Sequence, residues 1–143
     1  SQRMHKTSIT LDTLNEWRKN TMVEHLGIEL TEFGEGYICG KMPVDHRTHQ
    51  PMGLLHGGAS VALAETLASI GANIHVDPKT KACVGLEINA NHIKSVREGW
   101  VYGRATALHI GKSTQVWETK ITTEAGDTVC ISRMTVAVID KNR

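Results

Sequence analysis

The chain has 143 residues, with 16 Lys plus Arg against 15 Asp plus Glu, a formal net charge of +1. Near-neutrality and only 4% aromatic residues argue against a nucleic-acid module, which needs a basic face or stacking platforms. The composition excludes collagen, coiled coil and bulk disorder, and the length suits one domain over residues 1–143 whose core needs no staples. Cys39, Cys83 and Cys130 form no CxxC pair and lie in apolar runs. They read as reduced, buried thiols of a cytoplasmic protein. No apolar run nears the roughly 20 residues of a membrane span, so neither membrane nor nucleic acid is an expected partner. Ser1-Gln2-Arg3 ahead of Met4 reads as an expression-vector remnant, and no signal peptide heads the chain.

In chain order, Leu11, Leu14 and Trp17 mark an amphipathic helix over 11–20 with Thr10 as its N-cap. Thr21 is placed to cap a second turn over 22–26, which Gly27 ends. Residues 28–33 and 37–42 read as a hairpin around Gly34-Glu35-Gly36, with Pro43 stopping the pairing. After an irregular stretch over 44–55 comes the long helix, from His56 to about Ile74. Its members Ala59, Ala62, Leu63, Leu67, Ile70 and Ile74 are dense enough for burial on most sides, and Asp77-Pro78 ends the segment. Strands follow over 81–89, 100–110, 113–123 and 128–139, with Gly111-Lys112 as a two-residue turn and Gly126-Asp127 as another. The pattern is α+β and suits the hotdog fold, an antiparallel sheet wrapped around one long central helix.

Chemistry concentrates at that helix. Gln50 offers an amide in the preceding loop, and His56-Gly57-Gly58 sits where helical N–H groups have no intrahelical acceptor. Such a terminus suits an oxyanion developing on a carbonyl. The alternative is that both glycines only allow close packing. Glu65 lies inside the run Val61-Ala62-Leu63-Ala64-Glu65-Thr66-Leu67-Ala68, where a carboxylate needs a partner, a role or a solvated stripe. Ser69, four residues on, shares its face and could bond the carboxylate or a water. Gly57 and Glu65 are eight residues apart, about 12 Å of helix rise. Both must lie about 3 Å from one reacting atom to act together. A single copy of the helix cannot arrange this, so the spacing predicts a homodimer with two shared sites.

The stretch Gln50-Pro51-Met52-Gly53-Leu54-Leu55-His56-Gly57-Gly58 continuing to Glu65, with Val84-Gly85-Leu86-Glu87-Ile88-Asn89-Ala90-Asn91-His92, closely resembles hotdog-fold acyl-CoA thioesterases. The group is that of the phenylacetate-pathway and Arthrobacter-type 4-hydroxybenzoyl-CoA enzymes. It includes thioesterases of menaquinone synthesis (1,4-dihydroxy-2-naphthoyl-CoA) and of enterobactin proofreading. The resemblance implies an acyl-CoA substrate with an aromatic or medium-chain acyl group, no cofactor and no metal, and dimers that pair into homotetramers. It implies Glu65 as nucleophile or general base, Gly57 as oxyanion donor with Gln50 assisting, His56 holding the carbonyl or water, and Ser69 orienting the attacking group. By resemblance Gly85 admits pantetheine, while His92, Lys94 and Ser95, with His109, Gly111, Lys112, Ser113 and Thr114, bind the nucleotide; the plainer reading of the lysines is solvated turn charge. Asp45, His46 and His49 precede His56 closely enough to suggest a metal site, but no thiolate joins them. The rival functions are a hotdog 3-hydroxyacyl dehydratase and a non-catalytic acyl-CoA binding module. A Ser-His-Asp hydrolase lacks its GxSxG elbow.

Overall fold

The computed structural model describes residues 9–141, so the expectation for Ser1-Gln2-Arg3 lies outside the described residues. Thr10 and Thr21 each cap a short helix. The Thr10 hydroxyl accepts from the N–H of Thr13 at the start of α1 (Leu11–Glu16), and that of Thr21 from Val23 at the start of α2 (Met22–His25). The first helix stops short of residue 20. Residues 17–20 continue as turns, and Asn20 takes a left-handed φ of 61° that a helix does not tolerate.

Six strands form one antiparallel sheet: β1 (Glu29–Gly34), β2 (Tyr37–Val44), β3 (Lys81–His92), β4 (Gly99–Ile110), β5 (Thr114–Thr123) and β6 (Thr128–Asp140), in the order β1-β2-β4-β5-β6-β3. Two sequence expectations need correction. Pro43 does not stop β2, because it pairs with Trp100 and Val44 with Gly99. Its carbonyl accepts from the Thr48 hydroxyl at 2.8 Å, on the side where β1 has already ended at the Glu29–Lys41 pair. The missing N–H therefore faces no strand. The link from β4 to β5 is a three-residue loop over 111–113, not two residues. The Ser113 carbonyl is taken by the Val138 N–H of β6, which draws Ser113 out of the hairpin.

The long helix α3 (Gly57–Asn73) lies on the sheet with His56 as N-cap and Ile74 as C-cap. It buries one face, Ala59, Ser60, Leu63, Ala64, Leu67, Ala68, Gly71 and Ala72, rather than most of its circumference. Val61, Ala62, Thr66, Ser69 and Ile70 are half-buried, and Glu65 is exposed. Close seating is permitted by Gly40 and Gly103, paired on neighbouring strands. A Cβ on either would meet a Leu67 methyl at 2.7–2.8 Å, so the side chain fills a slot that only glycine leaves open.

Trp117, fully buried, packs its ring where a Cβ on Gly71 would be 2.9 Å away. Its indole N–H donates to Gln115 Oε1 at 2.8 Å, and Gln115 reaches the Ala72 carbonyl at 3.4 Å. His75 accepts from the Gly36 N–H through Nε2 at 2.9 Å, which leaves Nδ1 to donate to the Gly71 carbonyl at 2.6 Å. The last carbonyls of α3 are thus tied to the sheet and to the β1–β2 turn.

Candidate active site

The loop before α3 is fixed by its backbone. His56 N–H donates to the Thr48 carbonyl and Leu55 N–H to that of Val96, both at 2.8 Å, while Gly53 turns the chain at a φ of 77°. Within it Gln50 turns its Oε1 onto the N–H of Met52. That bond defines the other end of the amide, the NH2 group, as the free donor. The exposed His56 ring accepts from the Gly58 N–H at 2.8 Å through Nδ1. Gly57 N–H has no acceptor among the described residues. A donor of this kind at a helix N-terminus is available to an oxyanion. The His92 ring covers the Gly57 Cα, its Nε2 lying 3.0 Å from where a Cβ would stand.

Two turns further along, Glu65 extends toward the free edge of the sheet, with Oε2 3.3 Å from the position of a Cβ on Gly85. No hydrogen bond or ion pair holds this carboxylate among the described residues. The sequence suggested a bond from Ser69, but that hydroxyl points to Met134 Sδ at 3.9 Å. Both Glu65 and Ser69 line a groove of about 460 Å3 between α1–α2 and α3, whose walls include Leu14, Trp17, Val23, Leu26 and Ile70. The lining is mostly apolar, with Arg18, Thr21, Thr66 and Ser69 beside the exposed Glu65, so the structure sets a carboxylate at the mouth of a largely hydrophobic slot. Trp17, in the sequence only an apolar position of the first helix, is a wall of this groove; Met134, which contacts Ser69 and lies against Gly85, carries no signal in the sequence.

The strand register separates the remaining predicted residues. Gly85 shares a row with Val136, Gln115 and Ile110, beside the loop that holds His109, Gly111, Lys112, Ser113 and Thr114. His92 shares a row with Cys130, Ile121 and Gly103, and Lys94 and Ser95 lie beyond it. The rows are six residues apart on β5 and on β6, about 20 Å. In one protomer the two segments expected to bind the nucleotide are therefore at opposite ends of the sheet. Gly57 lies at the His92 end and Glu65 at the Gly85 end. Lys94 is paired with Asp127 at 2.7 Å, and the His109 ring lies against Gly111.

Other groups are occupied elsewhere. Arg47 grips Asp45 through Nε and Nη2, holding that carboxyl down at about 2, and His49 Nε2 bonds the Arg97 carbonyl at 2.8 Å. Cys39 and Cys83 are half-buried rather than buried, and Cys130 is buried. Burial raises all three thiols, Cys83 to about 11, which disfavours the thiolate needed for nucleophilic attack.

The sheet and its long helix have counterparts in known proteins. Residues 52–130 match the model of the Thioesterase superfamily, to which the chain belongs. A proofreading thioesterase of Cronobacter turicensis is 47% identical over 135 residues, 94% of this chain and 97% of that protein. The 1,4-dihydroxy-2-naphthoyl-CoA hydrolase of Escherichia coli is 46% identical over 134 residues, covering 94% and 98%. A thioesterase crystal structure from Haemophilus influenzae superposes with a TM-score of 0.93 at 48% identity, over 98% of this chain and 97% of that one. The protein is a hotdog-fold thioester hydrolase, in keeping with the sequence reading and against both the dehydratase and the binding-module alternatives.

Proposed function

We propose that the protein hydrolyses an acyl-CoA thioester, with an aryl or medium-chain acyl group, to the free acid and coenzyme A. The observation that carries this reading is the exposed Glu65 carboxylate at the mouth of the apolar groove, beside the free edge of β3. The acyl group enters the groove. Gly57 N–H, assisted by the free NH2 end of Gln50, polarises the thioester carbonyl. Glu65 attacks that carbon directly or through a water it deprotonates, while His56 and Ser69 hold the attacking group in line. The C–S bond breaks, oxygen from water ends in the acid, and coenzyme A leaves as the thiol. The names of the relatives, an aryl-CoA hydrolase and a proofreading thioesterase, support this substrate class.

The working unit in this reading is a homodimer. Within one chain Gly57 and Glu65 stay about 12 Å apart on a continuous helix. Among the described residues no strand pairs with the outer side of β3, and Val84 and Leu86 are 44% and 60% exposed. A two-fold axis crossing β3 between Ile88 and Asn89 sets Gly85 of one copy opposite His92 of the other. The Glu65 end then meets the Gly57 end, and the two nucleotide segments converge on one coenzyme through Gly85, His92, Lys94, Ser95, His109, Gly111, Lys112, Ser113 and Thr114. Each half is incomplete alone; pairing of dimers into tetramers, a single domain and a cytoplasmic site of action complete the proposal. The test is Glu65→Gln, nearly isosteric and uncharged. It lowers kcat by at least about a hundredfold, the scale of a lost base or nucleophile; an unchanged rate refutes the assignment.

A further inference from the structure

The groove at Glu65 does not end in a closed wall. A second cavity of about 470 Å3, mostly apolar but with Lys81 and Lys141 in its lining, continues along α3 toward Asn73, Ile74, Pro78 and Ala82. Three residues line both spaces: Trp17, Ser69 and Ile70. Ser69 and Ile70 belong to the rigid helix, whereas Trp17 closes α1 from the opposite side. Its indole is 51% exposed, and its N–H has no acceptor among the described residues. It is a large, unanchored wall between two apolar spaces.

We propose that Trp17 sets the acyl length of the enzyme by partitioning one continuous apolar channel. The inference rests on the proposed attack by Glu65, which places the thioester carbon at the mouth of the first space. From Glu65 to Ile70 the helix rises about 7.5 Å, the span of a benzoyl ring or a chain of about six carbons. To Ile74 it rises about 13.5 Å, which accommodates a chain roughly twice as long. With the indole in place the first space takes a ring or short chain. Without it the tail of a longer chain passes on into the second cavity. The occupant is an uncharged acyl tail, since the boundary at Trp17 and Ile70 offers it apolar surface, and the two lysines of the second cavity are taken up, Lys81 by Asp140 and Lys141 by the Pro78 carbonyl.

The experiment measures kcat/KM for benzoyl-, hexanoyl- and dodecanoyl-CoA with the full-length enzyme and its Trp17→Ala variant. The half-exposed indole is removed without opening the core, so the variant folds. The dodecanoyl-to-hexanoyl ratio rises at least tenfold in Trp17→Ala, a scale that a few methylenes in an apolar pocket supply. Adding Ala82→Phe, which fills the second cavity from β3, returns the ratio toward that of the parent. An unchanged ratio in Trp17→Ala overturns the proposal. So does an equal loss on all three substrates, or a gain that Ala82→Phe leaves intact. The Glu65 reading fails separately, through a Glu65→Gln enzyme that still turns over hexanoyl-CoA at the parental rate, whatever the length ratio shows.

Discussion

The two ends of α3 are built on opposite rules. At its C-terminal end the carbonyls of Ser69, Gly71 and Ala72 accept from the side chains of Asn73, His75 and Gln115, and a buried Trp117 packs over Gly71. At its N-terminal end one exposed ring caps Gly58, and the neighbouring Gly57 N–H has no acceptor among the described residues. The difference teaches that stability and function are divided along one helix. The end whose carbonyls are taken up by Asn73, His75 and Gln115 fixes the helix on the sheet. The unsatisfied end keeps a donor for a ligand, since a donor already bonded would have to be stripped before it could act.

This contrast breaks in a graded way. The largest effect is expected from Trp117→Ala, which empties a fully buried site at the anchored end and lowers unfolding free energy by about 3–5 kcal/mol in denaturant titrations. A loss under about 1 kcal/mol means the anchor lies elsewhere. Next, Gly57→Pro removes only the free N–H, because proline is compatible with the first helical position, although the His92 ring must shift a few tenths of an ångström. Unfolding changes little while kcat falls about 10²–10³-fold, as for loss of an oxyanion donor. Hybrids of Glu65→Ala chains with Gln50→Ala, Gly57→Pro chains regain one complete site per dimer; recovery of no activity argues against sharing.

The smallest effect is one of pH. Burial pushes the His75 imidazole below its usual range; the Gly71 carbonyl and, more weakly, Glu35 act against this. A protonated ring would also set an N–H against the Gly36 N–H. The folded chain therefore binds this proton less tightly than the unfolded one. Stability from this group is complete above the unfolded value of about 6.5 and declines as the pH drops through it. The melting temperature of the parent falls between pH 7 and 5.5 more steeply than that of His75→Gln. Parallel curves mean that His75 does not carry the effect.

Much of this architecture was legible because local chemistry and global fold agree. Threonine caps, glycine turns and alternation marked the elements, and one charge in an apolar run marked Glu65. Pro43 misled because its tolerance depends on where β1 ends, a non-local fact. The loop over 111–113 misled because β6 competes for Ser113. The separation of His92 from His109 was hidden in strand register, which no spacing along the chain reveals. Trp17 read only as an apolar position of the first helix, although in the fold it lines two cavities.

The slot for Leu67 has one more consequence. Two methyl groups absent from the sheet, at Gly40 and Gly103, set the height at which the helix rides. A substitution at either would press on Leu67, shift α3 against α1 and α2, and so change the width of the groove that Glu65 lines. The dimensions of the reaction chamber are thus tunable from strands that never touch a reactant.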